Sequence, residues 1–154
     1  MPDIPDSAQV DALLASAAQD VLETMFFATI CGRSSEWAPQ DRVCVTVKLP
    51  FHGTPSGALQ LTAPMAVIRS IAVAFLGAED EDSVDDSQVR AVAGELANVV
   101  CGAALSRIES ATTFALDAPE VTESTLNEAR PASARVLFDL DCGPIAAELE
   151  FEEA

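Results

Sequence analysis

Ser87-Gln-Val-Arg-Ala-Val-Ala-Gly-Glu-Leu-Ala-Asn-Val-Val-Cys-Gly-Ala103 is the stretch on which the reading of the chain turns. At about 100° per residue, Val89, Val92, Ala93, Leu96, Val99, Val100 and Ala103 fall on one stripe of a helix running from about Ser87 to about Ser110. That stripe must face a core, so the rest of the chain has to supply a layer for it to cover. The opposite face follows from the same geometry. Glu95 and Asn98, three residues apart, are surface neighbours there and share the face with Ala91, Gly94 and Gly102. Asp85, Asp86 or Ser87 supplies the cap, and the acidic residues just before the helix favour its N-terminal dipole.

A glycine inside a helix costs about 1 kcal/mol relative to alanine, so Gly94 and Gly102 together call for a return such as the close approach of another surface. A low ridge bearing one acid and one amide suits docking. The plain alternative is that Glu95 and Asn98 are solvated and the glycines pack against neighbouring elements, since such pairs are common on helices.

Outward from this helix, Asp6 or Ser7 caps a first helix with Val10, Leu13, Leu14, Ala17, Val21, Met25 and Ala28 on one face, ending near Gly32. Residues 33–40 read as a loop. Val43, Val45, Val47 and Leu49 alternate with Cys44, Thr46 and Lys48 as a half-buried strand, and Leu59 and Leu61 with Gln60 and Thr62 as its hairpin partner across Pro50, Gly53, Pro55 and Gly57. Pro64 suits the start of a helix through Met65, Ile68, Ile71, Ala72 and Phe75, and Gly77 suits its end. Beyond the long helix, residues 112–116 read as a strand and the stretch holding Pro119 and Pro131 as a loop. Residues 135–141 and 145–151 form a closing hairpin across Cys142-Gly143-Pro144. The order predicts an α+β layer, with helices packed on a mainly antiparallel sheet. Residues 1–154 are expected to form a single domain, with residues 1–7 a flexible tail.

Composition narrows the function classes. Hydrophobic residues are 49% of the chain and charged ones 21%, too apolar a balance for intrinsic disorder. A net charge of −17 repels phosphate backbones and anionic lipid, so neither nucleic acid nor membrane is expected as a partner. No apolar run has the length of a span and the N-terminus lacks a signal peptide, which predicts a cytoplasmic protein. Cys31, Cys44, Cys101 and Cys142 contain no Cys-x-x-Cys pair and His52 is the sole histidine, a pattern without a structural zinc site. The thiols are expected to be buried or half-buried apolar residues. His52 is expected as a surface turn residue and Trp37 as a local plug.

The stretch Gly94-Glu95-Leu96-Ala97-Asn98-Val99-Val100-Cys101-Gly102 resembles the Glu-x-x-Asn-x-x-x-Gly signature of the CheX, CheC and FliY chemotaxis phosphatases, and a single intact motif favours CheX. Leu22-Glu23-Thr24-Met25, the strand at residues 57–62 with its following helix, and residues 114–121 with Pro119 extend the likeness over most of the chain. The first helix carries Glu23 with Phe26 where the long helix carries Glu95 with Asn98, a degenerate internal repeat. The resemblance implies a CheC/CheX-like fold with a pseudo-twofold repeat and a phosphatase of the aspartyl phosphate on a CheY-like response regulator. Carried over, Glu95 and Asn98 are the catalytic pair, with Ala91, Gly94 and Gly102 as docking surface. With Phe26 in place of an amide, one site per chain is expected.

The residue types fit that implication. An acyl phosphate is already reactive, so a neutral amide such as Asn98 need only hold water in line for attack. Glu95 anchors the ridge by pairing with the regulator's active-site lysine. The chain needs no cofactor of its own, and Mg²⁺ is expected on the partner. A homodimer is also expected, with the last strands, through Val136, Phe138, Leu140, Ile145, Ala147 and Leu149, extending a sheet across two chains. Two rivals stand beside this reading. One is a non-catalytic module that docks on a response regulator or flagellar switch component through the same ridge. The other is a nucleophilic hydrolase using Cys101 or another thiol.

Overall fold

The computed structural model describes residues 7–33, 43–53, 55–108, 113–125 and 135–152. The tail at residues 1–6, Trp37 with most of its loop, and Pro131 lie outside the described residues. In chain order the elements are α1 (Ser7–Thr24), β1 (Ile30–Arg33), β2 (Val43–His52), β3 (Gly57–Pro64), α2 (Met65–Leu76), a short 3₁₀ turn (Glu81–Ser83), α3 (Asp86–Leu105), β4 (Ala115–Leu116), β5 (Glu120–Thr125), β6 (Arg135–Leu140) and β7 (Gly143–Phe151). The strands form one seven-stranded sheet in the order β1-β6-β7-β3-β2-β4, with β5 also on β2, and every pairing is antiparallel.

The alternation of β2 and β3 sends Val45, Val47, Leu49, Phe51, Leu59, Leu61 and Ala63 into the core, while β6 and β7 contribute Val136, Phe138, Leu140, Ile145, Ala147 and Leu149. All three helices close over this face. Leu14, Ala17, Val21 and Leu22 of α1, Val67, Ile68 and Ile71 of α2, and Val89, Val92, Leu96 and Val100 of α3 are buried against it.

The pseudo-twofold layout is visible in the pairing. Each half runs helix, short strand, hairpin: α1-β1-β2-β3 and α3-β4/β5-β6-β7. The second strands of the two hairpins, β3 and β7, meet in antiparallel register from Gly57↔Phe151 to Thr62↔Ala146. Each half lends its leading strand to the other half's hairpin: β1 lies on β6, and β4 and β5 lie on β2.

Several sequence expectations need correction. The first helix stops at Thr24 rather than near Gly32. Phe26, the counterpart of outward-facing Asn98 and so expected away from the face of Val21 and Met25, is fully buried with its ring stacked on Phe75 at 4.6 Å, while Met25, expected inside, is 47% exposed. Phe27 then takes a left-handed backbone, φ 58°, and the Ala28 N–H donates back to the Leu22 carbonyl at 2.8 Å, which turns the chain into the edge strand β1. The long helix ends at Leu105, short of Ser110. Its expected core stripe is buried except at Val99 and Ala103, which are half-buried. Strand β5, Glu120–Thr125, lies in the stretch around Pro119 that the sequence predicts as loop.

Pro50, expected in a turn, lies inside β2. The sheet tolerates it because the neighbour changes there: β5 pairs up to Lys48↔Glu120 and β4 takes over at Phe51↔Leu116, so the missing proline N–H falls in the gap. The Pro50 carbonyl still accepts from the Asp117 N–H at 2.9 Å. The last strands, expected to extend a sheet across two chains, do not form its edge: β7 lies between β6 and β3, and β1 covers β6 at Phe138–Leu140.

Candidate functional site

Helix α3 starts from a full capping box. The Asp85 carboxylate accepts from the Gln88 N–H at 2.8 Å, and the Gln88 side-chain oxygen accepts from the Asp85 N–H at 2.9 Å. Arg69 of α2 pairs with Asp86 and donates to the Val84 carbonyl at 2.6 Å, which ties this end of α3 to α2. With its start held and its apolar face committed to the core, the rotation of α3 is determined. Glu95 is left exposed and Asn98 half-buried on the outer side.

A wall rises beside them from the break between β4 and β5. Gly94 is buried under Pro119: a side-chain carbon at Gly94 would stand 3.3 Å from the Pro119 ring and 3.7 Å from Val121. The helix glycine thus lets α3 approach this wall closely. Arg90, Ala91, Gly94, Glu95, Asn98, Pro119 and Val121 line an open hollow of about 570 Å³. At its rim Arg90 donates from Nη1 to Glu123 Oε1 of β5 at 3.2 Å.

Of the residues singled out by sequence, Ala91, Gly94, Glu95 and Asn98 therefore line one hollow. Gly102 does not join them. It borders a separate hollow of about 330 Å³ with Leu105, Ser106, Ile108, Thr113, Phe114 and Leu116, and among the described residues nothing lies within 4 Å of where its side chain would start. Sequence reasoning does not bring Arg90, Pro119 or Val121 beside the pair: Pro119 reads as a loop residue and, within residues 114–121, as part of the family likeness. Arg90 was within reach, since it stands four residues before Gly94 on the same face. Pro119 and Val121 arrive from a strand that no periodicity announced.

The other chemistry-bearing residues sit elsewhere. Cys44 and Cys101 are buried and Cys142 half-buried, whereas Cys31, expected at least half-buried, is exposed on edge strand β1. Burial pushes the Cys101 thiol up to about 12, so it is not a thiolate at neutral pH and is poorly suited as a nucleophile. His52 ends β2, exposed, with Nε2 at 2.9 Å from Asp117 Oδ2. Among the described residues no group of His, Cys, Asp and Glu is placed to hold a metal ion, and no helix is long and apolar enough to cross a membrane.

Comparison with known proteins agrees with this architecture. Among curated protein sequences none matches the chain. Among solved structures, the chain is similar to the chemotaxis protein CheX from Vibrio vulnificus, with 22% identity, 97% of this chain and 100% of that one covered, and a TM-score of 0.73. It is similar to a chain of the CheX-CheY-BeF3-Mg²⁺ complex from Borrelia burgdorferi, with 15% identity, 92% and 97% covered, and a TM-score of 0.68. A CheC-like superfamily protein from a Shewanella species shows 23% identity, 94% and 98% coverage, and a TM-score of 0.63. At these identities the likeness establishes the fold. The family model described as chemotaxis phosphatase CheX matches residues 45–141, which span β2 to β6 and all of α3, and the chain belongs to the CheX family of chemotaxis phosphatases.

Proposed function

We propose that this chain hydrolyses the aspartyl phosphate of a CheY-like response regulator, using Asn98 and Glu95 of α3. The carrying observation is the placement of an exposed carboxylate and a half-buried amide side by side on a rigid helix, beside an open hollow walled by Pro119 and Val121. Water attacks phosphorus in line, the acyl oxygen–phosphorus bond breaks, and the regulator's aspartate and inorganic phosphate leave. Asn98, anchored by a helix whose opposite face is core, holds that water with its side-chain oxygen and NH₂. Glu95, free to extend, pairs with the regulator's active-site lysine. The regulator's own carboxylates hold Mg²⁺, in keeping with the Mg²⁺ named in the Borrelia complex. The reaction is placed in the cytoplasm, where such regulators act. One site per chain is proposed, because the position matching Asn98 in the first half holds Phe26, buried against Phe75.

The test follows acyl-phosphate decay on a panel of CheY-like regulators with Mg²⁺, adding buffer, the native chain or its Asn98→Ala variant. The native chain accelerates phosphate loss, and Asn98→Ala lowers the excess rate by roughly 10² to 10³, near 3 to 4 kcal/mol. Binding to a regulator with no acceleration by the native chain assigns the protein instead to the non-catalytic docking class.

A further inference from the structure

Five of the chain's eight cationic residues have described side chains, and four of them are arginines with clear partners. Two of these are bound inward at two points each. Arg69 bonds the Val84 carbonyl and Asp86, and Arg107 bonds the Ala103 carbonyl at 2.9 Å and Asp20 at 2.6 Å. Arg33 pairs with Asp11 at 3.2 Å and lies over the Phe138 ring, away from α3. Arg90 differs. It lines the hollow that holds Glu95 and Asn98, and its one side-chain partner among the described residues is Glu123, a single contact at 3.2 Å with both groups more than 40% exposed, at 44% and 41%. An exposed pair of that kind is worth at most about 1 kcal/mol, and a guanidinium has five donors, so Arg90 can take a second acid at little cost.

Position along the helix decides what that acid is. Arg90 stands eight residues before Asn98, about 12 Å along the axis at about 1.5 Å per residue, too far to share the phosphoryl group that Asn98 serves. It stands five residues before Glu95, about 7.5 Å along the axis and about 140° round it, and the two side chains meet on opposite sides of the one hollow that both line. We infer that Arg90 is a positioning residue for docking: with Glu95 it forms a two-charge ruler that admits a partner presenting a cation opposite Glu95 and a carboxylate opposite Arg90. This rests on the phosphatase reading for the partner's identity. In a chain of net charge −17, long-range attraction favours any basic surface, so a local cation in the hollow gives what the overall field cannot, a preferred orientation and a penalty on regulators lacking the acid.

The experiment measures binding of the full chain to CheY-like regulators loaded with beryllofluoride and Mg²⁺, and turnover on the same regulators loaded from acetyl phosphate. Arg90→Glu is expected to weaken binding about tenfold at low salt, with the difference shrinking as salt rises, and to appear in turnover as a higher KM rather than a lower kcat. Arg90→Lys recovers most of the affinity. Glu123→Gln, which removes only the internal partner, binds at least as tightly as the native chain. The inference is overturned if Arg90→Glu binds like the native chain, if Glu123→Gln reproduces its loss, or if no regulator binds. Binding that depends on Arg90 without any turnover sustains the ruler and removes the phosphatase reading. Turnover indifferent to Arg90→Glu does the reverse.

Discussion

Asn98 and Glu95 differ in burial although they share one face of α3, and that difference suits different tasks. A half-buried amide loses little further freedom when it orients a water, whereas an exposed carboxylate can follow a partner's lysine. Cys101, one turn beyond Asn98 but turned inward, offers a residue-scale test by pH. Its folded thiol is raised to about 12 from an ordinary value of 9.0, so above pH 9 the unfolded chain gives up a proton that the folded chain retains. The sign is therefore destabilising with rising pH. Chemical denaturation of the native chain should show stability falling between about pH 9 and 12, by up to about 1.4 kcal/mol per unit, and Cys101→Ala should flatten that fall. An equally steep fall in both proteins would remove Cys101 as the cause.

At the scale of elements, two glycines on one helix have different returns. Gly94 lets Pro119 approach, so a methyl group there stands 3.3 Å from the Pro119 ring, which must give by a few tenths of an ångström. Gly102 meets nothing within 4 Å among the described residues, so Gly102→Ala should raise stability by about 0.5 to 1 kcal/mol, read as a higher denaturation midpoint. A drop would mean the helix needs glycine there for a reason internal to the fold. If that same variant weakens regulator binding, the open face at Gly102 belongs to the docking surface. The start of α3 carries the opposite expectation. Asp85→Ala removes an acceptor from the Gln88 N–H and should cost about 1 kcal/mol in the same measurement.

Across the molecule, exchange of leading strands between the halves leaves β1 and the β4/β5 side as the sheet's outer strands. A homodimer that extends the sheet would therefore pair along one of these edges, and we take β1, whose Ile30–Arg33 has β6 as its one paired strand among the described residues. Sedimentation equilibrium at micromolar concentration is expected to show a dimer for the native chain and a monomer for Gly32→Pro, and a native chain that is monomeric throughout would end that expectation. What the sequence determined by itself were the features with local causes: a capped start of α3 within residues 85–87, of which the structure selects Asp85, the αL glycine at Gly77, the two hairpins, and the face of α3 that carries Glu95 and Asn98. Each follows from periodicity or from a residue's own backbone preference. What only the tertiary structure decided were the end of α1, the strand status of β1 and β5, the place of Pro50 and the wall at Pro119. Phe26 leaves the helical pattern because Phe75 offers it a stacking partner, and β5 forms because β2 presents an unsatisfied edge from Val43 to Lys48. Both causes lie far along the chain from the residues they order, beyond what any short window of sequence contains.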